Sequence, residues 1–147
     1  MGISFGQQGT PSMDFHQALQ SQLIRLSLDD SSLIEMLPEL HGGQYGPTPS
    51  AWREAVMACV RTLLRRGLIK VLTRKSMSDE DVEQLLRACE EDADEDREML
   101  WHSTYFVATE KLCELLRCHG LDDWTALDGA VVPAVVEAAS GEGAANA

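Results

Sequence analysis

From Trp52 to Leu64, apolar side chains return at every third or fourth position: Trp52, Ala55, Val56, Cys59, Val60, Leu63 and Leu64. That recurrence traces one face of an α-helix. Thr48-Pro49 opens the segment, supplying an N-cap hydroxyl and a proline at the first helical position, where its missing N–H costs nothing. Gly67 closes it, where a left-handed residue is wanted. An earlier Thr10-Pro11 pair precedes Phe15, Leu19, Leu23 and Leu26, predicting a helix to about Leu28. Asp29-Asp30-Ser31 caps a short second helix carrying Leu33, Ile34 and Leu37, which Pro38 stops.

Ser78 starts a further helix with Asp79, Glu80 and Asp81 in its first turn, where carboxylates favour the helix dipole. Val82, Leu85, Leu86 and Cys89 form its stripe. Trp101, Tyr105, Ala108, Leu112, Leu115 and Leu116 predict one long helix ending at Gly120, and Asp122-Asp123-Trp124 starts a short helical stretch through Leu127. Ala130–Ala139, rich in Val and Ala but carrying Pro133, is a last element that the pattern assigns to neither helix nor strand. Leu68–Leu72, LIKVL, is β-branched and short, and reads equally as a strand or an extended linker. Histidine 41 to Ser50, HGGQYGPTPS, holds three glycines and two prolines, which marks an exposed loop or hinge. Tyr45 at its centre is a lid over the core or a contact residue, the lid being the blander assignment.

The sum is a mainly α protein: a single-domain bundle of five or six helices over residues 1–140, with at most one small β element and a flexible tail at 141–147. A chain of 147 residues can bury roughly 70% of its unfolded surface. Aromatics are only 5% of the residues, so Leu, Val and Ala must supply most of that core.

Composition then limits function. No apolar run approaches the roughly 20 residues that span a bilayer. MGISFGQQGTPSMDF lacks the basic and apolar regions of a secretory signal, so the expected location is the cytoplasm. The four cysteines, Cys59, Cys89, Cys113 and Cys118, are then expected to be thiols. Cys113, Cys118 and His119, with His102 or Cys89, could supply metal ligands, but structural zinc needs two tight pairs and here there is one loose one. Cys59 and Cys89 lie on apolar stripes and read as core. Neither a metal nor another cofactor is expected. No G-x-S-x-G, phosphate-binding glycine loop or H-E-x-x-H occurs, so no catalytic residues are assigned.

Charge is the informative property. The net charge is −12, which repels nucleic acid and anionic membranes at long range and attracts basic partners. It is unevenly distributed. Between Arg53 and Lys75 lie seven bases and one acid, net +6; between Asp79 and Glu98 lie eleven acids and two bases, net −9. The basic stretch has the helix–strand look of a DNA reader, but base-reading residues at recognition-helix spacing are missing. The two segments pair with each other inside the fold, stand in water, or serve a partner. Residues 89–98, CEEDADEDRE, hold seven carboxylates, more than nearby bases can neutralise. Helical like charges at i, i+4 would repel, so 92–96 is expected to be a loop or frayed turn. The candidate partner-binding residues are therefore Glu90, Glu91, Asp92, Asp94, Glu95, Asp96 and Glu98, with Tyr45 as an apolar contact.

Residues 50–72, SAWREAVMACVRTLLRRGLIKVL, followed by SDEDVEQLLRA at 78–88, resemble small bacterial immunity proteins of contact-dependent inhibition and related polymorphic-toxin systems. Trp52, Leu63-Leu64, Gly67, Ile69-Lys70 and Glu83–Leu86 carry the resemblance, which covers about a quarter of the chain. Such families continue into a strand-rich half, whereas this chain continues into helical patterns. The resemblance implies a protein that neutralises a cytoplasm-acting toxin by covering a basic surface with carboxylates. The rival is an acidic adaptor or secretion chaperone holding a basic protein. No heptad seam specifies an oligomeric state.

Overall fold

The computed structural model describes residues 11–73, 75–91 and 95–141. Among them are six α-helices and a small antiparallel sheet: α1 (Pro11–Leu28), β1 (Ser31–Ser32), α2 (Pro49–Arg65), β2 (Ile69–Val71), α3 (Asp79–Glu90), α4 (Glu95–Ser103), β3 (Tyr105–Ala108), α5 (Glu110–Cys118) and α6 (Pro133–Ser140). The mainly α architecture with one small β element is as the hydrophobic pattern predicts. The 3-10 segments Leu33–Glu35, Leu40–Tyr45 and Trp124–Asp128 fill the connections. The first and last residues assigned to the domain and its tail, 1–10 and 142–147, lie outside the described residues.

The middle of α1 is covered on every side. Leu19, Leu23 and Leu26 are buried, as the stripe requires, but so are Gln20 and Gln22. Buried amides must be hydrogen-bonded, and these splint irregular chain to the helix. Gln20 Nε2 donates to Ala130 O (3.0 Å) and its Oε1 accepts from Val132 N–H (2.7 Å). Gln22 Nε2 donates to Ser31 Oγ (3.3 Å) while its Oε1 accepts from Leu37 N–H (3.0 Å). The short second helix is replaced by β1 and a single 3-10 turn. Ser31 and Ser32 pair with β3, so the turn begins only at Leu33, with Glu35 Oε1 accepting from Ser32 N–H (2.9 Å).

The long helix expected from Trp101 to Gly120 is instead helix, strand and helix. Thr104, Tyr105, Phe106 and Val107 are β-branched or aromatic, a combination that favours a pleated surface. Tyr105–Val107, with Ala108, form β3, the central strand of the order β1-β3-β2. Ile69 pairs with Ala108, Lys70 with Val107 and Val71 with Phe106, all antiparallel. The middle of LIKVL, Ile69–Val71, is thus a strand. Leu112 and Leu116 are buried as expected, and Phe106, which lay off the predicted stripe, is buried from the strand.

Trp52 and Trp101 pack together at the centre, tilted at 50° with ring centroids 5.5 Å apart. Trp52 Nε1–H reaches Met36 O (2.9 Å) and Leu37 O (3.0 Å), fastening the loop before α2. That loop is tightly folded. Gly43 has φ 70°, and a Cβ there would meet Pro38 O at 2.8 Å. Tyr45, at the end of the turn, is 90% exposed. It covers nothing, so the lid assignment is corrected: the glycine-rich turn packs against α2 and presents the phenol outward.

Candidate functional site

The acidic run occupies the corner between α3 and α4. Ser78 and Asp81 open α3 by reciprocal capping, each side chain accepting the other's backbone N–H at 3.1 Å. The helix then carries Glu83 and Glu90 to face Arg61 on α2. Arg61 Nε and Nη2 each donate to Glu90 at 2.8 Å, and Nη1 donates to Glu83 at 2.8 Å. Arg87 gives Glu83 a further hydrogen bond of 3.1 Å. The Arg61 guanidinium holds both carboxyls below the ordinary glutamate range, with Arg87 assisting at Glu83. Arg61 is in turn raised by the two carboxylates.

A second clamp lies one helix further on. Glu98 of α4 pairs with Arg53 of α2 at 3.0 Å. The Arg53 guanidinium lies 4.4 Å from the centroid of the Trp101 ring, a cation–π geometry. Trp101 is fully buried and donates Nε1–H to Cys89 O at 2.8 Å, tying the end of α3 to α4. The basic and acidic segments therefore do pair internally, at Arg61 and at Arg53.

Those contacts divide the candidate residues. Glu90 and Glu98 serve the clamps. Glu91 is exposed where α3 ends, its N–H bonded to Arg87 O (3.0 Å). Asp92 and Asp94 lie outside the described residues. Glu95 is the first residue of α4 and Asp96 is exposed in its first turn. The expectation of a loop through residue 96 is thereby corrected. Acidic residues at a helix start are favoured by its dipole, which outweighs the like-charge repulsion. Tyr45 belongs to a different element, the turn on α2.

One residue of the corner escaped the pattern analysis. Met99 sits on α4 one turn after Asp96 and is 64% exposed. Its signal was an apolar side chain off the buried stripe, immediately after the charge run. A flexible thioether beside carboxylates suits a contact surface better than catalysis.

The cysteines separate as their positions predict. Cys59 and Cys89 are buried thiols, and burial pushes them up to about 12 and about 11 respectively. Cys118 is exposed, its Sγ 3.6 Å from Glu114 Oε2, while the His119 ring lies against Leu115 O at 3.0 Å. Among the described residues, no three His, Cys, Asp or Glu side chains gather as a metal would need. No described helix is long and apolar enough to cross a membrane. No family model, curated protein or solved structure matches this chain.

Proposed function

We propose that the protein is an immunity protein that binds a basic, cytoplasm-acting bacterial toxin and neutralises it through the α3–α4 corner. The observation that carries the reading is the double clamp. Arg61–Glu90 and Arg53–Glu98 fix the two helices, so Glu91, Asp96 and Met99 are presented from a braced scaffold. Pre-set geometry lowers the ordering cost of docking. Carboxylates around an apolar anchor give steering and hold together. The resemblance of residues 50–88 to immunity proteins supplies the class of partner. The cytoplasmic assignment rests on the cysteines, which are all unbridged.

Tagged protein is to be incubated with native cytoplasm at low and at moderate salt, and the retained proteins identified by mass spectrometry. One stoichiometric basic protein, whose purified toxic activity disappears on adding an equimolar amount of this chain, is the expected result. A basic partner that keeps its activity in the complex supports an acidic adaptor or secretion chaperone instead. Recovery of the tagged protein alone removes the reading.

A further inference from the structure

β2 lies at an edge of the sheet, and its register determines which backbone groups remain outside the ladder. Thr109 N–H donates to Leu68 O (3.0 Å), and Leu72 N–H donates to Tyr105 O (2.9 Å). Hydrogen-bonded and non-hydrogen-bonded pairs alternate in an antiparallel ladder. Lys70 therefore turns its N–H and C=O toward Val107, whereas Ile69 and Val71, opposite Ala108 and Phe106, turn theirs away from the sheet. An open edge of this kind is a template for another strand.

The edge borders a groove of about 1110 Å³, enclosed by the second half of α2, β2, the segment after it and the first turns of α3. Apolar side chains, including Leu64, Val71 and Val82, line it, and all three are half-buried. Arg65, Lys70 and Lys75 also line it. All three bases are exposed, and none makes an ion pair among the described residues. Arg61 and Glu83 line the same groove but are bonded to each other. Asp79 lines it as well, so outside the Arg61–Glu83 pair the wall carries three bases against one acid, a local excess of positive charge in a chain of net charge −12. At physiological salt, charges beyond about 8 Å are screened, so the nearby bases dominate.

We infer that β2 and this groove form a second docking surface, one that takes an extended acidic peptide segment of a partner protein as an added strand. The backbone groups of Ile69 and Val71 hold the segment's main chain. Arg65, Lys70 and Lys75 select carboxylates on it, and the apolar wall accepts the side chains between them. This surface adjoins the Arg61 clamp of the acidic corner and selects the opposite charge.

The test uses a fluorescein-labelled heptapeptide of alternating glutamate and valine, with fluorescence polarisation as the readout. Its lysine–valine counterpart and a single-stranded heptanucleotide serve as comparisons. The acidic peptide is expected to bind at least about tenfold tighter than either comparison, the discrimination that a few charge-assisted contacts provide. Amide exchange at Ile69 and Val71 slows when it binds. Val71→Pro removes an outward N–H and leaves the Lys70–Val107 pair intact, weakening binding by about tenfold. Arg65→Glu with Lys75→Glu weakens it similarly without touching the strand, and circular dichroism confirms that both variants are folded. Equal affinity for the two peptides, equal affinity for the oligonucleotide, or unchanged exchange at Ile69 and Val71 overturns the inference.

Discussion

Arg61 of α2 and Glu90, the last residue of α3, are joined by two hydrogen bonds of 2.8 Å. A guanidinium fork meeting a carboxylate in this way has geometry as well as charge in its favour. Glu90→Gln keeps the shape and removes the charge. The expected cost is about 1 kcal/mol, or about 2–4 °C in Tm, measured by thermal circular dichroism. An unchanged Tm would place the pair among surface ion pairs that contribute nothing to stability.

The same clamp predicts a pH dependence. Arg61 holds the carboxyls of Glu83 and Glu90 below their ordinary range in the folded protein. The unfolded chain therefore binds more protons as the solution becomes acidic. The stabilisation is complete above the unfolded glutamate value of about 4.3 and is lost as pH falls through the lower folded values. Urea unfolding at a series of pH values should show that loss in the wild type, with a shallower dependence in Arg61→Gln. Equal slopes in the two proteins would exclude the clamp as their cause.

Trp101 holds the corner from inside. Its indole N–H bonds to Cys89 O, its ring meets Trp52, and Arg53 lies over its face. Trp101→Phe leaves a carbonyl without its donor and a small cavity, at a cost of about 2 kcal/mol. Chemical denaturation measures it. A loss well under 1 kcal/mol would mean that α4 is held by its other contacts.

Thiol accessibility separates the cysteines. Cys59 and Cys89 are buried and displaced to about 12 and about 11, so they stay protonated at neutral pH. Iodoacetamide at about pH 8 is expected to alkylate Cys118 first in the native protein, and Cys59 and Cys89 only after denaturant is added. Peptide mass spectrometry reads the order. Native-state labelling of Cys59 at the rate of Cys118 contradicts the packing of α2.

The three helices with regular stripes, α1, α2 and α3, were legible because the apolar stripe of each meets the core, although the middle of α1 is buried all round. LIKVL was legible as a possible strand through its β-branched residues. β3 was not, since Trp101, Tyr105, Ala108 and Leu112 fall at helical spacing by coincidence, while Thr104–Val107 carried an unweighted β signal. The burial of Gln20 and Gln22 was hidden because polar side chains read as solvent-facing until their partners, Ala130 and Val132 among them, are placed. At the site, the excess of acid was visible but its division was not. Arg61 and Glu90 are 29 positions apart, and only the packing of α3 on α2 brings them together. Met99 became noticeable only once Leu100 and Trp101, the apolar residues next to it on α4, were seen to turn inward.

The central claim is that the α3–α4 corner docks a basic partner, and the most direct measurement is the association rate with the captured protein at two ionic strengths. Glu91→Lys with Asp96→Lys is compared with the wild type, because both positions are exposed and neither belongs to the Arg61 or Arg53 clamp. Wild-type association is expected to slow as salt rises, and the double reversal to slow it by roughly tenfold at low salt, with circular dichroism confirming that the variant is folded. Identical association rates for the two proteins at both ionic strengths would contradict the claim and leave the corner's carboxylates as solvated charge.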